Sequence, residues 1–171
     1  MNEAQNWNGA RPMASPAAPP RVIVVGAGFG GLSAVKGLRG RPVQVVLVDQ
    51  HNYHLFTPLL YQVASSLLDP SEIAHPVRAM LRGAPNVRVQ LGEVRSIDPA
   101  ARQVELDDAC IGYDYLVLAA GSVNDYFGHD ELGTRTYGLK DLDQALGSDI
   151  GCSSSSSVRP PRLTATFAVA S

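Results

Sequence analysis

Arg21-Val-Ile-Val-Val-Gly26-Ala-Gly28-Phe29-Gly30-Gly31-Leu-Ser-Ala-Val-Lys36 is the stretch on which the fold turns. Val22 to Val25 are four consecutive apolar residues. A continuous run, rather than alternation, suits a parallel strand covered on both faces. Gly26, Gly28 and Gly31 then spell G-x-G-x-x-G. In that pattern the first glycine permits a tight turn, and the second lets a pyrophosphate approach the backbone. The third lets the following helix pack on the strand. The helix start would aim free N–H groups and the positive end of its dipole at the phosphates. Leu32, Val35 and Leu38 can share its inner face, and Gly40 is placed to stop it.

Outward from this core, residues 43–48 read as a second strand ending at Asp49. An acid about 20 positions beyond the glycines stands where a carboxylate can accept from a ribose hydroxyl and repel a 2′-phosphate. Alone, the glycine pattern or the acid would be weak evidence. Strand, glycines, helix, strand and acid in register together predict dinucleotide binding.

Thr57 and Pro58 look like a helix cap and first helical residue. Leu59, Leu60, Val63 and Leu67 fall on one face of that helix at helical spacing. A second start is expected at Asp69-Pro70 with Glu72, and a third at Pro76, ending near Gly83. The stretch from His51 to about Gly83 is therefore expected to be a small helical excursion inserted after the second strand. His51 and His54 lack cysteine or carboxylate partners at ligand spacing, so no metal site is expected. Val87 to Leu91 reads as a third parallel strand, and residues 92–98 and 103–106 as an antiparallel meander with a turn at 99–102. Tyr113 to Leu118 reads as a buried strand leading into the small-residue turn Ala119-Ala120-Gly121-Ser122. The fold class is α/β: a Rossmann-like domain with a parallel sheet and a small antiparallel meander.

The whole chain has 171 residues, 45% of them hydrophobic and 18% charged, with a net charge of -2. That balance fits a globular domain and gives no electrostatic argument for a nucleic-acid partner. No apolar run reaches the ~18–20 residues of a membrane span. Cys110 and Cys152 form no CxxC pair, and no secretory signal is evident, so a cytoplasmic setting is expected. Residues 1–20, rich in Asn, Ala and Pro, are expected to be a disordered leader.

The chain resembles the N-terminal part of the type II NADH dehydrogenases, FAD-dependent NADH:quinone oxidoreductases of the two-dinucleotide-domain flavoprotein superfamily. The specific likeness lies in Asn52-Tyr-His-Leu-Phe56-Thr-Pro58-Leu-Leu-Tyr61-Gln-Val-Ala64 and Pro70-Ser-Glu-Ile-Ala-His-Pro76-Val-Arg78. The broader one lies in the glycine loop, Asp49, and Tyr113-Asp-Tyr-Leu-Val-Leu-Ala-Ala-Gly121-Ser122, where Ala120 replaces the usual threonine. The likeness runs from about residue 21 to 146. It implies FAD at this loop, with Gly26, Gly28, Phe29, Gly30 and Gly31 at the pyrophosphate and Asp49 with Gln50 at the adenosine ribose. Phe56, Pro58, Leu59 and Leu60 would lie along the flavin. Val94 would meet the adenine through its backbone, and Ala119, Ala120 and Gly121 would line the ADP part. The implied chemistry is hydride transfer from NADH to flavin and on to a quinone, at the cytoplasmic face of the membrane for a full-length relative. No catalytic side chain is implied in this stretch.

Disulfide reductases of the superfamily carry CxxxxC after the second strand. None occurs between Asp49 and Pro70, which argues against a thiol relay and against sulfide oxidation. After Leu146 the chain leaves the family pattern for Gly147-Ser-Asp-Ile-Gly-Cys152 and a run of five serines. Codons compatible with residues 148–160 can, in another frame, spell a helix of the expected kind, so we expect a frameshift there. Residues 147–171 are then an aberrant, disordered tail, although residues 163–170 have a strand-like composition. The domain is expected to comprise residues 21–146 and to be partial. Without a second glycine motif, a membrane-docking segment, or the Gly-Asp turn over the flavin ribityl, it is expected to be inactive alone. The alternatives are a non-catalytic FAD-binding remnant, or part of another NAD(P)H-dependent flavoprotein reductase with a soluble acceptor.

Overall fold

The computed structural model of the chain describes residues 18–129, 131–136 and 138–153. The rest of the expected leader, residues 1–17, lies outside them, as do residues 154–171 of the expected tail with its strand-like stretch. The described residues fall into two compact units, one of residues 18–52 and 77–120 and one of residues 53–76 and 121–153.

The first unit is built on a parallel sheet. Strand β1 (Arg21–Val25) is followed by helix α1 (Phe29–Leu38) and strand β2 (Gln44–Asp49). Val22, Val24, Val45 and Leu47 point to one side, where they pack on Leu32 and Val35 of α1 and on Val77 and Leu81. The alternate residues Ile23, Val25, Val46 and Val48 point to the other side and pack on Val104, Leu106 and Ile111. The strands therefore need apolar residues at every position, and that is why their sequence runs rather than alternates. Each such buried side chain contributes roughly 1.5–3 kcal/mol.

The second unit begins with strand β3 (Tyr53–Leu55), a 3-10 turn at Thr57–Leu59, helix α2 (Leu60–Ala64), a 3-10 turn at Pro70–Glu72 and strand β4 (Ala74–Pro76). β3 and β4 pair antiparallel, with His54 opposite His75. The expected helical excursion is thus a short ladder carrying short helical turns. Thr57 makes no side-chain cap. Leu67 is 76% exposed rather than part of a buried face. Pro76 ends β4, and the short helix expected from it starts one residue later, at Val77. Asp69 does cap its turn, accepting from the Ser71 N–H.

The chain returns to the first unit with helix α3 (Val77–Met80) and strand β5 (Val87–Leu91), which pairs parallel with β2. Three antiparallel strands follow: β6 (Val94–Asp98), β7 (Gln103–Leu106) and β8 (Cys110–Gly112). The meander therefore has one strand more than the alternation revealed. Strand β9 (Tyr115–Leu118) completes the parallel sheet in the order β5-β2-β1-β9. It was expected to be buried, but it lies at the sheet edge, and its Tyr115 and Leu118 are both 64% exposed.

Two further helices belong to the second unit, α4 (Leu132–Arg135) and α5 (Leu142–Ser153). The Asp141 carboxylate accepts from the Gln144 N–H at the start of α5. Leu60, Val63 and Ile73 pack with Ala145 of α5 as the core of this unit. The expected domain limit at Leu146 falls within α5, which runs on to Ser153.

Candidate dinucleotide site

The loop from β1 to α1 follows from its glycines. Gly26 has φ +99°, a left-handed value that residues with a Cβ rarely adopt. A Cβ there would stand 2.2 Å from the Ala119 carbonyl oxygen. One on Gly31 would stand 1.8 Å from the Gly26 carbonyl oxygen. These two positions are closed by the protein's own backbone. Gly28 is different: no atom lies within 4 Å of where its Cβ would be. Space is kept over the second glycine alone of the three, which is the position the pattern reserves for a phosphate.

Gly28 is also the N-cap of α1, and no side chain caps that end. An uncapped helix start with space above it suits an anion. Phe29 and Gly30 open the helix; Phe29 is 50% exposed, and a Cβ on Gly30 would make an ordinary 3.7 Å contact with the Ala119 Cβ. The Ala119 N–H donates to the Val25 carbonyl at 2.8 Å, which ties the end of β9 to the glycine loop. Ala119 is half-buried and Ala120 exposed, while Gly121, in the second unit, takes φ +75°.

Asp49 stands at the tip of β2 with its side chain 20% exposed. Its Oδ2 accepts from the Ala27 N–H at 2.5 Å and its Oδ1 from the His51 N–H at 2.8 Å. A carboxylate has about four acceptor positions, so room remains for a ribose hydroxyl. Gln50 is exposed beside it. The Gly92 N–H donates to the Asp49 carbonyl at 3.0 Å, which sets the turn into Val94 next to the same strand tip. The site residues expected from 26 to 50, with Val94, Ala119 and Ala120, thus gather at one end of the first unit.

The expected flavin-side residues belong to the second unit. There Phe56 is 38% exposed, Pro58 is exposed and Leu59 is half-buried. Leu60 is only 1% exposed and its side chain fills the core with Val63 and Ile73. The whole residue, backbone included, therefore offers a ligand almost no surface. Among the described residues no group of three or more His, Cys, Asp and Glu could hold a metal ion, and Cys110 is free and exposed.

Asn86 escaped the sequence reading. Its Nδ2 donates to the Leu38 and Val43 carbonyls at 2.9 and 3.1 Å, and its Oδ1 accepts from the Gly40 N–H at 2.9 Å. One side chain thereby fixes the α1–β2 turn. An isolated asparagine before a strand carries no local sign of that role.

The family described as pyridine nucleotide-disulphide oxidoreductase matches residues 20–150. The type II NADH:quinone oxidoreductase NdhA of Mycobacterium tuberculosis is 45% identical over 130 residues, covering 74% of this chain and 28% of that relative. The chain therefore spans under a third of the relative's length. Among solved structures, the sulfide:quinone oxidoreductase of Aquifex aeolicus superposes with a TM-score of 0.71 at 25% identity, over 78% of this chain and 32% of that one. NDH2 from Plasmodium falciparum in complex with NADH superposes with a TM-score of 0.71 at 23% identity, over 80% and 30%. No helix among the described residues is long and apolar enough to cross a membrane. With a match that takes in the glycine loop, Asp49 and the turn after β9, the chain belongs to the pyridine nucleotide-disulphide oxidoreductase family.

Proposed function

We propose that the glycine loop holds the pyrophosphate of FAD, and that the chain is the FAD-binding part of an NADH:quinone oxidoreductase. The observation that carries this reading is the contrast within the loop. Gly26 and Gly31 are sealed by backbone, whereas Gly28 faces open space at an uncapped helix start. The N–H groups at that start would bind the phosphates, with the helix dipole contributing about 0.3–1 kcal/mol. Asp49 would accept from the adenosine ribose, and its charge would disfavour a 2′-phosphate there. The turn at Ala119 and Ala120 would lie along the ADP part, and the backbone of Val94 would meet the adenine. Phe56, Pro58 and Leu59 would lie along the flavin and shield it from water.

The chemistry that FAD would supply when held by these residues is hydride uptake from NADH and two-electron transfer to a quinone. The 45% identity to a type II NADH:quinone oxidoreductase supports that donor and acceptor. It also favours this reading over a flavoprotein reductase with a soluble acceptor. In a full-length relative the site would work at the cytoplasmic face of the membrane. The 171 residues carry a single G-x-G-x-x-G. We therefore expect this polypeptide by itself to bind FAD without oxidising NADH.

The test is the visible spectrum of the purified chain after incubation with FAD and desalting, followed by NADH and a soluble quinone. A retained flavin spectrum that NADH leaves unbleached is the expected result. A colourless protein overturns FAD binding, and NADH turnover with quinone overturns the expected inactivity.

A further inference from the structure

We infer that Asp49 is a positioning residue for the phosphate-binding loop, acting through the Ala27 N–H as well as on any ribose. The inference rests on the dinucleotide reading above and assigns Asp49 a second task within that site.

Two successive loop amides are tied to the end of β2. The Gly26 N–H donates to the Val48 carbonyl at 2.8 Å, and the Ala27 N–H donates to Asp49 Oδ2 at 2.5 Å. The first tie continues the strand register, in which Val25 lies opposite Val48. The second is made by a side chain, at the residue where the loop turns away from the sheet. Asp49 is itself held on both sides. Its other oxygen accepts from the His51 N–H two residues on, an Asx turn, and its carbonyl accepts from the Gly92 N–H. The side chain is four-fifths buried, so the carboxylate has little freedom to swing away.

A carboxylate is needed for this arrangement. Both of its oxygens are acceptors, and two N–H groups face them. An asparagine offers one acceptor and one NH₂, so either orientation sets a donor against a donor. Such a mismatch removes one tie and leaves a polar group of the loop without its partner. The charge also needs a reason, because an anion close to a pyrophosphate is electrostatically unfavourable. Holding the Ala27 N–H supplies one: the loop takes its ligand-binding shape before the ligand arrives, and the ordering cost at binding falls.

Loop positioning and ribose contact make different predictions for a ligand without ribose hydroxyls. The experiment is isothermal titration of the full chain and its Asp49→Asn variant with ADP and with 2′,3′-dideoxy-ADP. If Asp49 positions the loop, Asp49→Asn weakens 2′,3′-dideoxy-ADP by at least threefold. If Asp49 acts on the ribose alone, the variant and the wild type bind 2′,3′-dideoxy-ADP within threefold of each other, and the inference is overturned. Failure of the wild type to bind ADP at all would instead overturn the dinucleotide reading, and the inference with it. Should the variant not fold, amide exchange of Ala27 in the ligand-free wild type decides. Slowing of more than tenfold below the unstructured rate supports the tie, and less than tenfold contradicts it.

Discussion

The two units of this chain are held together by different means. In the first, β1 and β2 bury apolar residues on both faces of a parallel sheet, and Ile23, Val24, Val45, Leu47 and Val48 reach 0% exposure. In the second, the buried hydrophobic cluster comprises Leu60, Val63, Ile73 and Ala145. The same unit leaves Tyr61, Leu67, Val123 and Phe127 at 56%, 76%, 82% and 85% exposure. Stability follows buried apolar area. The glycine loop therefore sits on the firm part of the molecule, and the residues expected along the flavin sit on the yielding part. A pyrophosphate site requires fixed backbone donors, whereas a flavin-side surface can be completed by ordering when the ligand binds.

The largest expected effect would break the firm unit at its loop. Gly31→Ala places a Cβ 1.8 Å from the Gly26 carbonyl oxygen. It should destabilise the chain by about 3 kcal/mol or more, read by chemical denaturation. Gly28→Ala meets nothing within 4 Å and keeps an ordinary φ of -71°, so its stability should stay within about 0.5 kcal/mol. Equal destabilisation by the two would show that the loop's glycines do not divide their work as described.

Leu60→Ala, in the sparser core, should cost about 2–4 kcal/mol and act locally. Native-state hydrogen exchange would read it at the Phe56 amide, which donates to the Ile73 carbonyl at 2.8 Å. That amide should speed up while Val24 and Val46 in the first unit stay protected. Uniform acceleration across both units would mean that they unfold as one.

Asn86→Ala removes the side chain that fixes the α1–β2 turn and should cost about 1–3 kcal/mol by thermal or chemical denaturation. A variant as stable as the wild type would mean that water replaces those bonds without loss.

The smallest effect concerns Asp69, on the surface of the second unit. Hydrogen bonds from the Ser71 hydroxyl and N–H hold its carboxyl below the ordinary carboxylate range. A folded value below the unfolded one means a contribution present above the unfolded value and lost as pH falls through the folded one. The difference in melting temperature between wild type and Asp69→Asn should thus shrink on acidification. A difference that stays constant with pH would remove the carboxylate from the account.

Legibility in the sequence followed the same division. β1 and β2 could be read because burial on both faces writes an unbroken apolar run, as in Val22–Val25, whereas β5 shows only the alternation of Val87, Val89 and Leu91 with Arg88 and Gln90. The glycine pattern with Asp49 could be read because each residue has a local steric or electrostatic duty. The β3–β4 ladder could not be read this way. Tyr53–Leu55 and Ala74–Pro76 are three residues each, about twenty positions apart, and the second ends in proline. Their pairing depends on the packing of Ile73 and Leu60, which no local period records. β9 misled because Leu116 and Val117 pack inward while Tyr115 and Leu118 do not, and an apolar run does not reveal that its strand lies at a sheet edge. The tie from Asp49 to Ala27 was hidden for a similar reason. An acid at that position already had an apparent purpose at the ribose.

The central claim is that the open space over Gly28 is where a dinucleotide's phosphates bind. Titration of FAD into the wild-type chain and into Gly28→Ala, both checked for equal stability, tests it most directly. The account predicts saturable binding to one site in the wild type and at least tenfold weaker binding in the variant. Equal affinities in two equally stable proteins would contradict it.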